Sequence, residues 1–265
     1  MSATESTSAP ALQNKLLAAI PDSERERVLR EITPMFLPLG QILYESGAQL
    51  SCVYFPTSAI VSLSHVMADG TSAEVALIGN EGIVGVALFM GDAATPSRAI
   101  VQSSGWAYGL RGPLLEREFS RGGAMLQLLL HYTQTLIAQM AQTAVCNQHH
   151  SVEQQLCRWL LLRLDRMGTE ELAVTEEAVA DMVGVRHDDV VAELGKLRSL
   201  SLLHYGHGQI KIVNRVALEA RACGCYSVIK GQSDWLFNMA TNPPAVPVLD
   251  EGEPQNIGRP RLAPK

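Results

Sequence analysis

The chain has 265 residues, a net charge of −6 and 47% hydrophobic residues, enough for two domains or one large one with real cores. No apolar run reaches the roughly 18 residues of a membrane span, and the polar start MSATESTSAPALQNK lacks a secretion signal's apolar stretch. A cytoplasmic protein without a membrane partner is expected, and the acidic balance does not suggest a nucleic-acid ligand.

Residues 1–11 are expected to be disordered. Helices follow over residues 12–32, marked by Leu16, Leu17 and Ile20, then the start signal Pro21-Asp22-Ser23, then Val28, Leu29 and Ile32. From Met35 to Arg111 the pattern changes to short alternating runs: Gln41–Glu45, Val53–Phe55, Ile60–Val66, Glu74–Ile78, Ala99–Gln102 and Trp106–Leu110. Gly40, Gly47, Asp69-Gly70, Gly79-Asn80, Gly91-Asp92 and Gly105 punctuate them, which predicts an antiparallel barrel or roll with a hairpin at Asp69-Gly70.

A long helix is predicted to end near Asn147. Leu126, Leu130, Thr133, Ile137, Met140 and Ala144 step by four and three, a heptad seam suited to a homodimer interface. A second stripe of Met125, Leu129, Tyr132 and Leu136 makes the apolar face too wide for one contact. One stripe is expected to pack on the chain's own roll and the other on a partner's helix. Another helix, Ser151–Arg166, turns Leu156, Trp159, Leu160 and Leu164 inward.

Leu172 to Asn214 read as a winged helix-turn-helix. Thr175 is an N-cap with acids at Glu176 and Glu177. A short helix buries Val179, Met182 and Val183 and breaks at Gly184. A second helix carries Val190, Leu194 and Leu197 on one face. Strands Leu202–Tyr205 and Gln209–Val213 flank the turn Gly206-His207-Gly208. Such a unit presents one helix to a DNA groove. Arg186, His187 and Asp188 are the expected base readers. Thr175, Lys196, His207 and Gln209 are the expected backbone contacts. Between Ser151 and Lys230, ten basic residues meet eleven acids, so phosphate attraction is weak unless the cations cluster. The last stretch, 231–265, has six prolines and little periodicity and is expected to be a disordered tail.

The order of roll, long helix and winged helix resembles the Crp/Fnr family of bacterial transcription regulators. The resemblance rests on Gly40-Gln41-Ile42-Leu43-Tyr44-Glu45-Ser46-Gly47, on Gly82-Ile83-Val84-Gly85 and on VTEEAVADMVGVRHDDVVAELGKL. It implies an α+β chain made of an N-terminal antiparallel β-roll over 12–122 that senses an effector, a dimerisation helix over 123–148 and a C-terminal winged helix-turn-helix over 149–230. It also implies DNA, a second copy, a small-molecule effector and RNA polymerase as partners. The chemistry departs from that family. An acid that would hold a ribose is replaced by Val86 after Gly85, and an arginine-serine pair for a cyclic phosphate is reversed as Ser97-Arg98. Gly85, Ser97 and Arg98 mark the effector pocket. A one-residue shift on a strand turns Arg98 to the opposite face, so cyclic nucleotides are not expected to bind. In the second helix of the DNA reader, His187, Asp188 and Ala192 stand where the family places arginine, an acid and arginine. A dimeric interaction protein that does not bind DNA is the alternative reading.

Five cysteines, Cys52, Cys146, Cys157, Cys223 and Cys225, are too few and too irregular for a disulfide framework. Cys146, His149 and His150 lie about 75 residues before Cys223 and Cys225. The chain lacks the N-terminal cysteine run of cluster-binding relatives, so these residues are expected to be helix-end histidines and buried thiols, with no metal and no cofactor. No nucleophile elbow, phosphate loop or HExxH occurs, and no enzyme activity is expected.

Overall fold

The computed structural model describes residues 10–67, 72–91 and 94–241. Two helices, α1 (Lys15–Ala19) and α2 (Asp22–Leu29), lead into seven strands: β1 (Thr33–Leu37), β2 (Ile42–Tyr44), β3 (Cys52–Pro56), β4 (Ile60–Val66), β5 (Ser72–Ile78), β6 (Arg98–Ser103) and β7 (Gly105–Arg111). They form two antiparallel sheets, ordered β1-β7-β3 and β2-β6-β4-β5. Alternation decides which side chains face inward. Val53 and Phe55, Val61 and Leu63, and Ala99 and Val101 fill the space between the sheets, joined by Ile78, Ile83, Val84 and Leu110. The β4–β5 pairing from Val61↔Ile78 to Val66↔Ser72 is the expected hairpin, although Asp69-Gly70 lie outside the described residues.

Two features of this half depart from the sequence reading. β1 lies ahead of the first expected run, Gln41–Glu45, and it holds Pro34; it is an edge strand paired only with β7, where a missing N–H is tolerated. Ala11, expected in a disordered start, is fully buried in the roll core with Leu16 and Leu17; residues 1–9 lie outside the described residues.

A short α3 (Gly112–Ser120) leads to α4, the 26-residue helix Ala124–His149. Its Met125, Leu129, Tyr132 and Leu136 are buried against the roll. Gly82 makes that approach close, because a Cβ there would stand 2.2 Å from the Tyr132 hydroxyl. The chain then turns into α5 (Val152–Met167), where Ser151 and Gln154 form a capping box.

The C-terminal half contains α6 (Glu176–Val183), α7 (His187–Ser199) and a three-stranded sheet β8-β10-β9 of Glu171–Ala173, Gln209–Ile212 and Leu203–Gly206. Its core joins Leu156, Trp159 and Leu160 of α5 to Val179, Val190, Leu194, Leu203, Ile210 and Leu218. The three-residue β8 is too short to leave an alternation pattern, and only the other two strands are legible in the sequence.

The larger correction concerns the C-terminus. After α8 (Arg215–Glu219), α9 runs from Gly224 to Thr241 through the start of the stretch expected to be disordered. It lies antiparallel to α4: the Gln142 amide donates to the Cys225 sulfur near one end, and Trp235 meets His131 edge-on near the other. Leu236 is buried in the roll core and Ile229 in the winged core, so burial on both halves stabilises a helix whose own sequence, with Gly224 and Gly231, argues weakly for one. Residues 242–265 lie outside the described residues.

The halves are joined by buried charges. Arg163 of α5 donates to both Glu74 oxygens on β5, at 3.2 and 2.6 Å, and Arg166 donates to Glu81 at 2.6 Å.

Candidate functional site

Thr175 caps α6 by accepting from the Ala178 N–H at 3.3 Å, and Gly184 ends the helix in the left-handed conformation (φ 78°). Arg186 then precedes α7. Its guanidinium donates to both oxygens of Asp189, at 3.0 and 2.8 Å. That pairing holds the Asp189 carboxyl below the ordinary carboxylate range. His187 lies among three acids, within 3.9 Å of Glu176 and 3.5 Å of both Glu177 and Asp188. Asp188 points into solvent.

Lys196 pairs with Glu153 of α5 and with Glu193 at 3.4 Å. The same Glu153 receives Arg221, and these two cations hold its carboxyl below its ordinary value. Lys196 therefore ties α7 to α5. In the wing, His207 adopts a left-handed φ of 54°, and both it and Gln209 are exposed. The outward face of α7 consists of Asp188, Val191, Ala192, Gly195 and Arg198. Among the described residues, no carboxylate pairs with Arg198. Nothing in the sequence singles it out, because it sits in the helix's last turn, whereas base readers are expected at the start.

The three residues expected to form an effector pocket do not converge. Gly85 packs on Val53 and the Cys52 carbonyl. Ser97 is buried, with its hydroxyl 3.5 Å from His65 Nε2. Arg98 points to the opposite face of β6, where it donates to Glu45 at 2.7 Å. The inner face at that level is closed by Ala99 and Val101. Arg98 instead borders a cleft of about 170 Å³ between the sheet and α6, with Ser62, Ser64, Gln102 and Asp181.

On α4, Leu130, Ile137 and Ala144 are exposed, whereas Leu126 and Met140 are half-buried and Thr133 is buried with its hydroxyl donating to the Leu129 carbonyl. The roll covers more of the helix than the sequence reading allowed. The exposed row is Gln127, Leu130, Gln134, Ile137, Ala141, Ala144 and Gln148, which keeps the three–four rhythm but replaces half of the expected members.

The thiol and histidine pairs, read as separate on their spacing, come together. Cys146, His150, Cys223 and Cys225 place one ligand atom each within 4.8 Å of all the others. The Cys146 and Cys223 sulfurs are 3.4 Å apart, and Cys225 Sγ is 3.3 Å from His150 Nδ1. Burial pushes the Cys146 thiol up to about 12, opposed by the nearby Arg158 guanidinium. His149, exposed one residue earlier, is not part of the group.

Residues 34–121 match the cyclic nucleotide-binding domain, and residues 154–221 match the Crp-like helix-turn-helix domain. No curated protein matches the sequence. Among solved structures, FixK2 from Bradyrhizobium japonicum is similar at 15% identity and a TM-score of 0.64, over 72% of this chain and 98% of its own. A putative transcriptional regulator of the Crp/Fnr family from Eubacterium rectale is 12% identical, with a TM-score of 0.63 over 79% and 98% of the two chains. The c-di-GMP responsive global regulator CLP from Xanthomonas campestris is 16% identical, with a TM-score of 0.60 over 72% and 99%. At these identities the structures show a shared fold; the domain matches carry the assignment. No helix among the described residues is long and apolar enough to cross a membrane. The two domain matches, which are those of regulators rather than enzymes, span more than half of the chain in the order roll then winged helix, and the chain belongs to the Crp/Fnr family of DNA-binding transcriptional regulators.

Proposed function

We propose that this regulator acts as a homodimer paired through the outward row of α4, with each α7 against DNA. We further propose that its roll responds to a small molecule other than a cyclic nucleotide. The outward row carries the dimer reading. Ile137 is 56% exposed at its centre, Leu130 and Ala144 flank it along the row, and the opposite stripe is already buried in the chain's own roll. A second copy related by a two-fold axis would cover these side chains helix on helix.

On α7, Val191 and Ala192 suit apolar contact with thymine methyls, and Asp188 suits the amino group of cytosine. Arg198 is the cation of that face available to a phosphate, and Arg186 becomes available when Asp189 releases it. Thr175, His207 and Gln209 flank the duplex in this arrangement; Lys196 contributes only if it leaves Glu153. RNA polymerase enters as a partner through the family resemblance. The cleft beside Arg98 lies between roll and α6, where a bound effector would act on both halves.

Placing aspartate at Ile137 buries an unpaired charge in the dimer and should yield a monomer in light scattering. A monomeric wild type at micromolar concentration would overturn the dimer. Genomic fragments should shift with the wild type in a salt-dependent manner. If no fragment shifts at low salt, the reading as an interaction protein that does not bind DNA takes precedence.

A further inference from the structure

We propose that Cys146, His150, Cys223 and Cys225 form a zinc site that fastens the end of α4 to the start of α9. A tetrahedral zinc with sulfur ligands at about 2.3 Å and nitrogen near 2.0 Å sets its ligand atoms roughly 3.4–3.8 Å apart. The Cys146–Cys223 and Cys225–His150 separations, 3.4 and 3.3 Å, already lie close to that range. The widest separation in the group is under 4.8 Å, within reach of small side-chain rotations. Three thiolates and an imidazole are a soft donor set that favours zinc over magnesium or calcium. Four protein ligands, three of them buried, leave no open position, which is the pattern of a structural rather than a catalytic ion.

A second, independent observation is a charge without a partner. The Arg158 guanidinium is buried, and no carboxylate pairs with it among the described residues. It donates to Thr143, one turn before Cys146 on α4, and its Nε finds no acceptor. A buried cation of this kind needs a nearby negative charge. Zinc with three thiolates and a neutral imidazole carries a net charge of −1 and supplies it. The surroundings also orient the ligands. The Gln142 amide donates to Cys225 Sγ at 3.1 Å, and the Gln155 amide donates to the His150 carbonyl at 2.8 Å. The ligands come from the last turn of α4, from its junction with α5 and from the start of α9, so the ion would close a loop containing the whole winged domain.

The test uses the full chain, purified under reducing conditions and incubated with zinc or cobalt(II) alone. Elemental analysis should find about one zinc per chain. The cobalt form should show the intense visible bands of a tetrahedral thiolate site. Removing zinc with a chelator should lower the melting temperature. His150→Ala and Cys225→Ser should each cut bound metal to about a tenth, whereas His149→Ala and Cys52→Ser should keep it. Because changes near a core can unfold the chain, the folded wild type decides the matter. Substoichiometric metal after zinc incubation would overturn the proposal. So would iron instead of zinc at full occupancy, a Cys146–Cys223 disulfide forming in place of metal binding, or full retention in the His150→Ala/Cys225→Ser double variant.

Discussion

Glu74→Ala is the sharpest test of how the winged half is held on the roll. Arg163 and Glu74 form a two-pronged pair whose side chains are 3% and 10% exposed. Burial draws the Arg163 guanidinium's pKa down, and Glu74 opposes that. Removing Glu74 leaves a desolvated cation, a loss of about 3–5 kcal/mol for a buried pair broken on one side. Part of the charge remains balanced, because the guanidinium also lies 3.8 Å from the Trp159 ring, a contact worth about 0.5–2 kcal/mol. The net loss should be about 2–4 kcal/mol in urea unfolding followed by fluorescence. Replacing both partners, Glu74→Ala with Arg163→Met, should recover much of that loss, because no uncompensated charge remains. Lys211→Ala, which breaks the exposed pair with Glu171, should cost far less than Glu74→Ala, because water and salt screen that pair. A loss under about 1 kcal/mol for Glu74→Ala, or a double variant as unstable as the sum of its singles, would refute the reasoning.

Cyclic AMP should give no binding heat in calorimetry, because Arg98 faces away from a filled roll and no acid follows Gly85; micromolar affinity would contradict this. Asp189→Asn should free Arg186 and steepen the salt dependence of non-specific DNA binding by about one phosphate contact, read by fluorescence anisotropy. An unchanged slope would mean that the start of α7 does not approach phosphate. Glu153, held below its ordinary value of 4.5 by Lys196 and Arg221, contributes stability that is complete above that value and lost as pH falls through the lowered one. Glu153→Gln should therefore flatten the acid limb of the stability curve below the carboxyl's ordinary value of 4.5, and an unchanged limb would show that the two cations do not stabilise the carboxylate.

The fold was legible wherever periodicity was long enough to read. β4 matches its expected span of Ile60–Val66, and α6 and α7 lie where Thr175, Gly184 and the Val190–Leu194–Leu197 row place them. What sequence did not reveal depends on contacts between distant segments. The helix α9 is held by α4 and both cores, and nothing within Gly224–Thr241 announces that support. The seam on α4 has the right rhythm, but which row faces out depends on how far the roll reaches around the helix, and that moved Thr133 and Met140 inward. Around α7, the element on which each residue sits was readable. The partners were not, since Lys196 is claimed by Glu153, 43 residues earlier. The four metal-type ligands stand about 75 residues apart in two pairs along the chain, a separation that the fold removes.

The return of α9 to α4 limits how this regulator can be recombined. A winged domain cut at residues 154–221 would leave behind the helix that seals Leu236 into the roll and Ile229 into its own core. Grafted onto another sensor, it would lose Cys146 and His150 as neighbours and bring Cys223 and Cys225 only if the graft ran further. Sensor and reader are therefore packed as one piece, and exchange between relatives should be tolerated only when the crossover carries both the end of α4 and the start of α9.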